Sequence, residues 1–398
     1  MTRAAHFSRS AAAEGGHARA IPASSRSSDV IIIGGGLQGL SSAVHLARRG
    51  ISVRVLESEY CGRHSSGVNA GGVRTLFRHV AEIPLALAAR DRIWHHLEAF
   101  VGHDGGFVPS GQLQVCETEA DVVAAKARIA ELEALGFTHE TWADQDTVRE
   151  LVPSMSHHVL GGIWVTDDGY AYPYHVVTAF RCSAESAGAD ILEQQRVSRV
   201  WREGGVWNVQ TPKGTYQAPV VVNTAGAWAG ELAAQVGDHV PLLADGLMLM
   251  VTQRVAPFVK PVLGAMGRAL SFKQYANGTV VIGGSLRCYA DPVGRHAVVD
   301  MATMRTSAIT VTDLFPHLRN MQVVRAWAGV EGFLPDQIPV IGPSIASPGI
   351  FHAFGFSAHG FELSPIIGEI MADLVEHGES KLPIHPFRVD RFTQQENT

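Results

Sequence analysis

The chain has 398 residues, 46% of them apolar and 18% charged, which is enough for two domains around a large buried core and is an ordinary globular composition. A net charge of -6 without runs of like charge excludes the basic field that nucleic acid needs, and no apolar stretch reaches the roughly 18 residues that span a bilayer. Cys61, Cys116, Cys182 and Cys288 are dispersed without a C-x-x-C pair, so no metal site or disulfide framework is expected, and a reducing, cytoplasmic setting is.

Residues 1–28 carry Arg3, Arg9, Arg19 and Arg26 against Glu14 and lack the apolar core of a secretory signal; they read as a disordered tail, with an organelle transit peptide as the alternative. "DVIIIG" then predicts a buried parallel strand, and "LSSAVHLARRG" a helix closed by Gly50. Between them Gly34, Gly36 and Gly39 form G-x-G-x-x-G, with Leu37 and Gln38 inside it. The first glycine permits a tight turn, the second lets backbone approach a pyrophosphate, and the third packs helix on strand. A second strand, "SVRVLE", ends at Glu57, 18 residues past Gly39, where an acid accepts from an adenosine ribose and repels an added 2′-phosphate. NAD or FAD is therefore expected, and NADP is not.

"SEYCGRHSSGVNAGGVR" follows as a polar loop at the carboxyl end of that strand, where such sheets bind ligands. Further on, "APVVVNTAGAWAGELA" predicts a strand, a turn at Ala225-Gly226-Ala227 and a helix; "RALSFKQYANGTVVIGGS" predicts a hairpin turning at Ala276-Asn277-Gly278. "GIFHAFGFSAHGFELSPIIGEIMADLVEHG" predicts a strand, a loop with Gly355 and Gly360, and a helix from about Ser364. Three strand-glycine-helix units so far apart imply a cofactor domain assembled from discontinuous segments.

The ordered set "IIIGGGLQG", "SSGVNAGG", "DDGYAYPYHVV", "VVNTAGAWAG", "AWAGVEGFLPDQIPVIG" and "GFSAHGFELSPIIGEI" resembles the D-amino-acid-oxidase-type FAD oxidoreductases, which include sarcosine and glycine oxidases, from Asp29 to about Gly378. The resemblance implies an α/β fold: a discontinuous Rossmann-like FAD-binding domain (29–84, 159–238 and 326–398) and an α+β substrate domain with an antiparallel sheet (85–158 and 239–325). It implies extended FAD. The first glycine turn would meet the pyrophosphate; Ser58, Arg63, Ser65, Ser66, Ala70, Gly71 and Gly72 would follow pyrophosphate and isoalloxazine; Val197 would lie near adenine. Ala225, Gly226, Trp228 and Gly329 would complete the site, and Gly355, Phe356, Ser357, His359, Gly360 and Phe361 would reach the flavin pyrimidine. No cysteine lies in 327–344, where monomeric sarcosine oxidases attach flavin, so FAD is expected to be non-covalent.

For the substrate, the resemblance offers Arg74 and Arg78, spaced one residue wider than in monomeric sarcosine oxidases, as carboxylate anchors, with Arg268 as a further candidate. Lys273 corresponds to an oxygen-activating lysine, and His359 faces substrate or flavin O4; Tyr170, Tyr172 and Trp327 would shape the pocket. Glu331 and Glu362 stand where relatives carry a carboxylate-clamping arginine and lysine. The expected reaction is oxidation of a small secondary amino acid such as sarcosine, dimethylglycine or iminodiacetate, by a monomer or homo-oligomer that passes electrons to O2. Alternatives are a D-amino-acid or 2-hydroxy-acid dehydrogenase using a quinone or partner acceptor, and a non-catalytic FAD subunit of a larger oxidase.

Overall fold

A computed structural model describes residues 26–392. The expected tail lies outside the described residues up to 25. Residues 26–28 join the fold, Ser28 N donating to Gln217 O at 3.2 Å beside strand Gly214–Ala218.

Strand β1 (Val30–Ile33) is fully buried, as its run of branched residues demands, and leads through Gly34–Gly36 into helix α1 (Leu37–Arg48). Gly50, at φ 80°, ends that turn, and β2 (Val53–Leu56) pairs in parallel with β1. The sheet has six strands in the order 340–343, 350–354, 220–223, β1, β2, 190–192. All are parallel to their neighbours except Val340–Pro343, which runs antiparallel to Ile350–Phe354. Helices α1, Pro173–Ser186 and Gly360–His377 share one apolar core against this sheet, and the three-stranded sheet 199–218 covers the other face. The last helix starts at Gly360, four residues before the expected Ser364, and the polar loop after β2 contains a short helix, Ser65–Val68.

A nine-stranded, mostly antiparallel sheet forms the second layer, built from strands between Gln112 and Phe333. Gly161–Val165 and Val323–Phe333 both pair within it, so this sheet takes strands from both sides of the expected boundaries at 159 and 326. The hairpin Arg268–Gln274 with Val280–Gly283 turns through Gly278 at φ 88°, and its inward residues Phe272 and Ile282 enter a separate apolar core. No helix among the described residues is long and apolar enough to cross a membrane.

Candidate functional site

A cavity of about 810 Å³ is lined by both large sheets. At one end, the N-cap residue of α1 is Gly36, which has no side chain to cap the helix, and the first helical amide, Leu37 N, donates to Ser66 Oγ at 2.9 Å. The glycines there are demanded by geometry: a Cβ on Gly39 would stand 2.0 Å from Gly34 O, and one on Gly34, at φ 108°, 2.5 Å from Thr224 O. A helix start with glycine at its N-cap, behind close-packed glycines and opening into a buried cavity, is a seat for a dinucleotide pyrophosphate. Glu57 braces the turn by accepting from Gly35 N (2.7 Å), Ser58 Oγ (2.9 Å) and Glu59 N (2.8 Å). Every expected cofactor residue lines the cavity except Leu37, Gly39 and Ser357, which stand behind its wall.

Three further features shape this part. Asn69 ties the loop after β2 together by donating to Ser65 and Ser66 carbonyls and accepting from Gly71 N at 2.6 Å. Ser357 and Ala358 both have positive φ (50° and 71°), a strain held by Ser357 N on Gly332 O and by Leu334 N on Ser357 Oγ; it turns the loop ahead of helix Gly360–His377. From the turn of a two-stranded ribbon (Ala290–Asp291 with His296–Ala297), Arg295 reaches Glu59 (2.8 Å) and Ser58 Oγ (2.7 Å) and lies 3.9 Å over Trp228, whose indole donates to Pro292 O. Sequence reading missed Arg295, because its partners lie more than two hundred residues away.

At the other end stand the charged groups. Segment 74–78 is bent by Phe77 at φ 59° and pinned by two buried carboxylates. Asp168 accepts from Thr75 N (2.8 Å), Thr75 Oγ1 (2.8 Å) and Leu76 N (3.0 Å); Glu140 accepts from Phe77 N (2.7 Å) and pairs with Arg128, which also donates to Arg78 O. So held, Arg74 and Arg78 both line the cavity. Arg78 Nε donates to Arg74 O, and its Nη2 lies 3.6 Å from Glu362, whose two oxygens are buried without a hydrogen bond. Burial lifts the Glu362 carboxyl well above its ordinary range. Arg74 has no hydrogen bond or ion pair on its guanidinium among the described residues; burial, and then the Arg78 charge, bring it down to about 10, so it stays cationic.

His359 lines the cavity, and its Nδ1 meets buried Glu82 at 3.0 Å. Burial and then Arg78 bring the imidazole down to about 4, so it is neutral near pH 7; the bond to Glu82 assigns the proton to Nδ1 and the lone pair to Nε2. Burial alone would raise Glu82, but the His359 hydrogen bond and neighbouring charges outweigh it and hold the carboxyl low. Two guanidiniums thus face one firmly ionised carboxylate, leaving the cluster short of negative charge.

The other expected residues are distributed differently. Arg268 borders the cavity but is engaged by Glu117 (2.9 Å) and Asp313 (2.8 Å). Glu331 also lines it; burial lifts its carboxyl to about 7 against the Gly332 amide and the Ser65 hydroxyl. Glu362, Lys273, Tyr170, Tyr172 and Trp327 are not in the lining. Trp327 donates to Val68 O at 2.8 Å, and Tyr172 stacks on Tyr275, which packs edge-on to Tyr170. Lys273 is 1% exposed, its Nζ without a hydrogen bond and 5.5 Å from the Tyr170 ring; burial brings it down to about 7.

The family model for FAD dependent oxidoreductases matches residues 29–374. Glycine oxidase of Bacillus subtilis (strain 168) is 27% identical, over 91% of this chain and 97% of its own length. Sarcosine oxidase subunit beta of Arthrobacter is 25% identical, over 93% and 92% respectively. Among solved structures, L-proline dehydrogenase from P. horikoshii superimposes with a TM-score of 0.86 at 26% identity, covering 93% of this chain and 99% of that one. The glycine seat and its helix start fit FAD. Acid precipitation is expected to release its yellow colour into the supernatant; colour kept by the pellet would refute non-covalent binding.

Proposed function

The chain belongs to the family of FAD-dependent oxidoreductases and is an amino acid oxidoreductase acting at CH–NH; on that premise we propose that it oxidises the C–N bond of a small N-carboxymethyl amine, secondary as in sarcosine or iminodiacetate or tertiary as in dimethylglycine. Bound FAD would supply the hydride acceptor for the carbon beside nitrogen, and the resulting imine would be hydrolysed by water to amine and aldehyde or glyoxylate.

The observation that carries this reading is Arg74, a cavity-lining guanidinium with no hydrogen bond or ion pair to an acid among the described residues. A desolvated, unpaired fork favours a planar anion, and the substrate carboxylate supplies one. Arg78, occupied by Arg74 O and Glu362, adds charge and holds the loop rather than the substrate. Neutral His359, oriented by Glu82, accepts an N–H at Nε2 and aligns the nitrogen lone pair with the bond that breaks. The net positive character of the cluster disfavours the ammonium form, so the amine sheds its proton before oxidation. The test is anaerobic bleaching of the flavin by sarcosine, dimethylglycine, iminodiacetate, D-proline, D-alanine, glycine and lactate; bleaching by lactate alone, or by none, would sink the proposal.

Reoxidation by O2 to H2O2 is the second half of the proposal. Lys273 supports it: buried just outside the cavity lining, two residues from Ser271, its ammonium would favour the negative charge that develops as oxygen is reduced. With its amine at about 7, reoxidation is expected to be fast below that pH, where Lys273 is charged, and to fall above it. Lys273→Met should slow reoxidation about 10²-fold and abolish that pH dependence, read by stopped-flow recolouring in air. The likeness to L-proline dehydrogenase favours a second reading, in which a quinone or partner protein accepts the electrons. Oxygen consumption with substrate separates the two.

A further inference from the structure

The roof of the cavity carries a polar trough that no role above uses. Register pairs Val262 with Gln112 and Gly264 with Gln114, then Leu263 with Phe272 and Ser271 with Gly283. Strand alternation sends Leu113, Leu263, Phe272, Ile282 and Met250 into the apolar core above the sheet. Gln112, Gln114, Gly264 and Ser271 therefore stand on the opposite face, where all four line the cavity.

Small residues make this face concave. A Cβ on Gly264 would stand 2.1 Å from Gln114 Oε1, and one on Gly283 2.3 Å from a Leu249 methyl, so both glycines keep the roof open between those side chains. Gln114 Nε2 donates to Ala265 O at 2.8 Å, which fixes the amide and turns its carbonyl oxygen over Gly264. Gln112 is 5% exposed, and its Oε1 is buried without a partner; the Ser271 hydroxyl has no hydrogen bond among the described residues. The one guanidinium bordering this stretch, Arg268, is neutralised by Glu117 and Asp313. The accessible end of Gln112 is its amide nitrogen, so the lining of the trough offers an amide donor, the Gln114 carbonyl and a hydroxyl, and no unpaired cation, Lys273 lying on this face but outside the lining.

Resting on the amino acid reading above, we propose that this trough is a subsite for a second arm of the substrate, and that the substrate is a secondary amino acid with a neutral hydroxyl or carboxamide beyond its nitrogen. Arg74 holds the α-carboxylate while the second arm runs under Gly264 to Gln112, Gln114 and Ser271. A second carboxylate in that place would face the Gln114 oxygen with no unpaired cation in the lining to meet it. A bare N-methyl group would leave the buried Gln112 amide unpaired, and sites built to hydrogen-bond a substrate hydroxyl discriminate strongly against analogues lacking it.

The test compares kcat/KM for N-(2-hydroxyethyl)glycine, sarcosine and iminodiacetate on the holoenzyme. The hydroxyethyl compound is expected to exceed both others by about tenfold or more. Gln112→Leu and Ser271→Ala should each pull its ratio to sarcosine toward one; a ratio taken within one preparation does not depend on the folded fraction. A wild-type ratio near one, iminodiacetate as the best of the three, or a preference that survives both substitutions would overturn the subsite. Absence of flavin bleaching by all three would instead overturn the amino acid reading beneath it.

Discussion

Arg74→Met is expected to lower kcat/KM for the amino acid substrate by about 10²- to 10³-fold, chiefly through KM. Losing one partner of a desolvated charge pair costs about 2–5 kcal/mol, and 1.36 kcal/mol is tenfold. The other two anchor candidates are already engaged: Arg78 Nε is held by Arg74 O with Nη2 near Glu362, and Arg268 is held by Glu117 and Asp313. Part of the loss falls on kcat, because an unanchored carboxylate lets the reacting carbon drift from the flavin. Arg74→Lys keeps the charge without the planar fork and should recover only part of the activity. Steady-state kinetics check the prediction, and a KM within a few fold of wild type would move the anchor elsewhere.

The second large effect is expected at Asp168, which touches neither cofactor nor substrate. Its carboxylate is fully buried, accepts three hydrogen bonds from Thr75 and Leu76, and lies 3.6 Å from Arg90. Asp168→Ala would leave two amides, a hydroxyl and part of a guanidinium unpaired, a loss of about 3–5 kcal/mol for a broken buried pair. At roughly 1 °C per kcal/mol for a chain of this size, the melting temperature should fall by roughly 5 °C. Activity should drop further than folding does, since Thr75 and Leu76 sit between Arg74 and Arg78. A calorimetric scan and the kinetics of the surviving folded fraction separate the two; an unchanged melting temperature would show that water replaces the carboxylate.

The contrast between Arg74 and Asp168 explains what the sequence reveals. The cofactor end is legible because its demands are local: Gly34, Gly36 and Gly39 must be glycine within one turn, and Glu57 ends the next strand. Motif order then carried the reading to Gly355 and Gly360. At the substrate end, Arg74 and Arg78 could be named but not ranked, because what ranks them is Glu362, nearly three hundred residues away. Arg268 looked as free as Arg74 until Glu117 and Asp313 were seen beside it. Glu82, Asp168 and Glu140 carry no sequence signal of their own, as lone acids in loops or helix starts normally face solvent. The early start of the last helix, at Gly360, follows from packing: α1 buries against that helix, and tertiary contact overrides the proline at 365.

The order of strands in the parallel sheet also bears on how the enzyme is made. Its centre joins residues 30–33 to 220–223, and those in turn to 350–354, so β1, though β2 follows it at once, waits for its other neighbour, which emerges much later. Helix Gly360–His377, which packs closely on α1 through Gly368 against Ser41, comes later still. Such distant pairings are slow to close and leave apolar edges uncovered meanwhile. The nucleotide seat is therefore among the last parts of the molecule to be completed on the ribosome, and loss of even the final fifty residues would leave a chain that has every glycine of the fingerprint and nowhere to put the nucleotide.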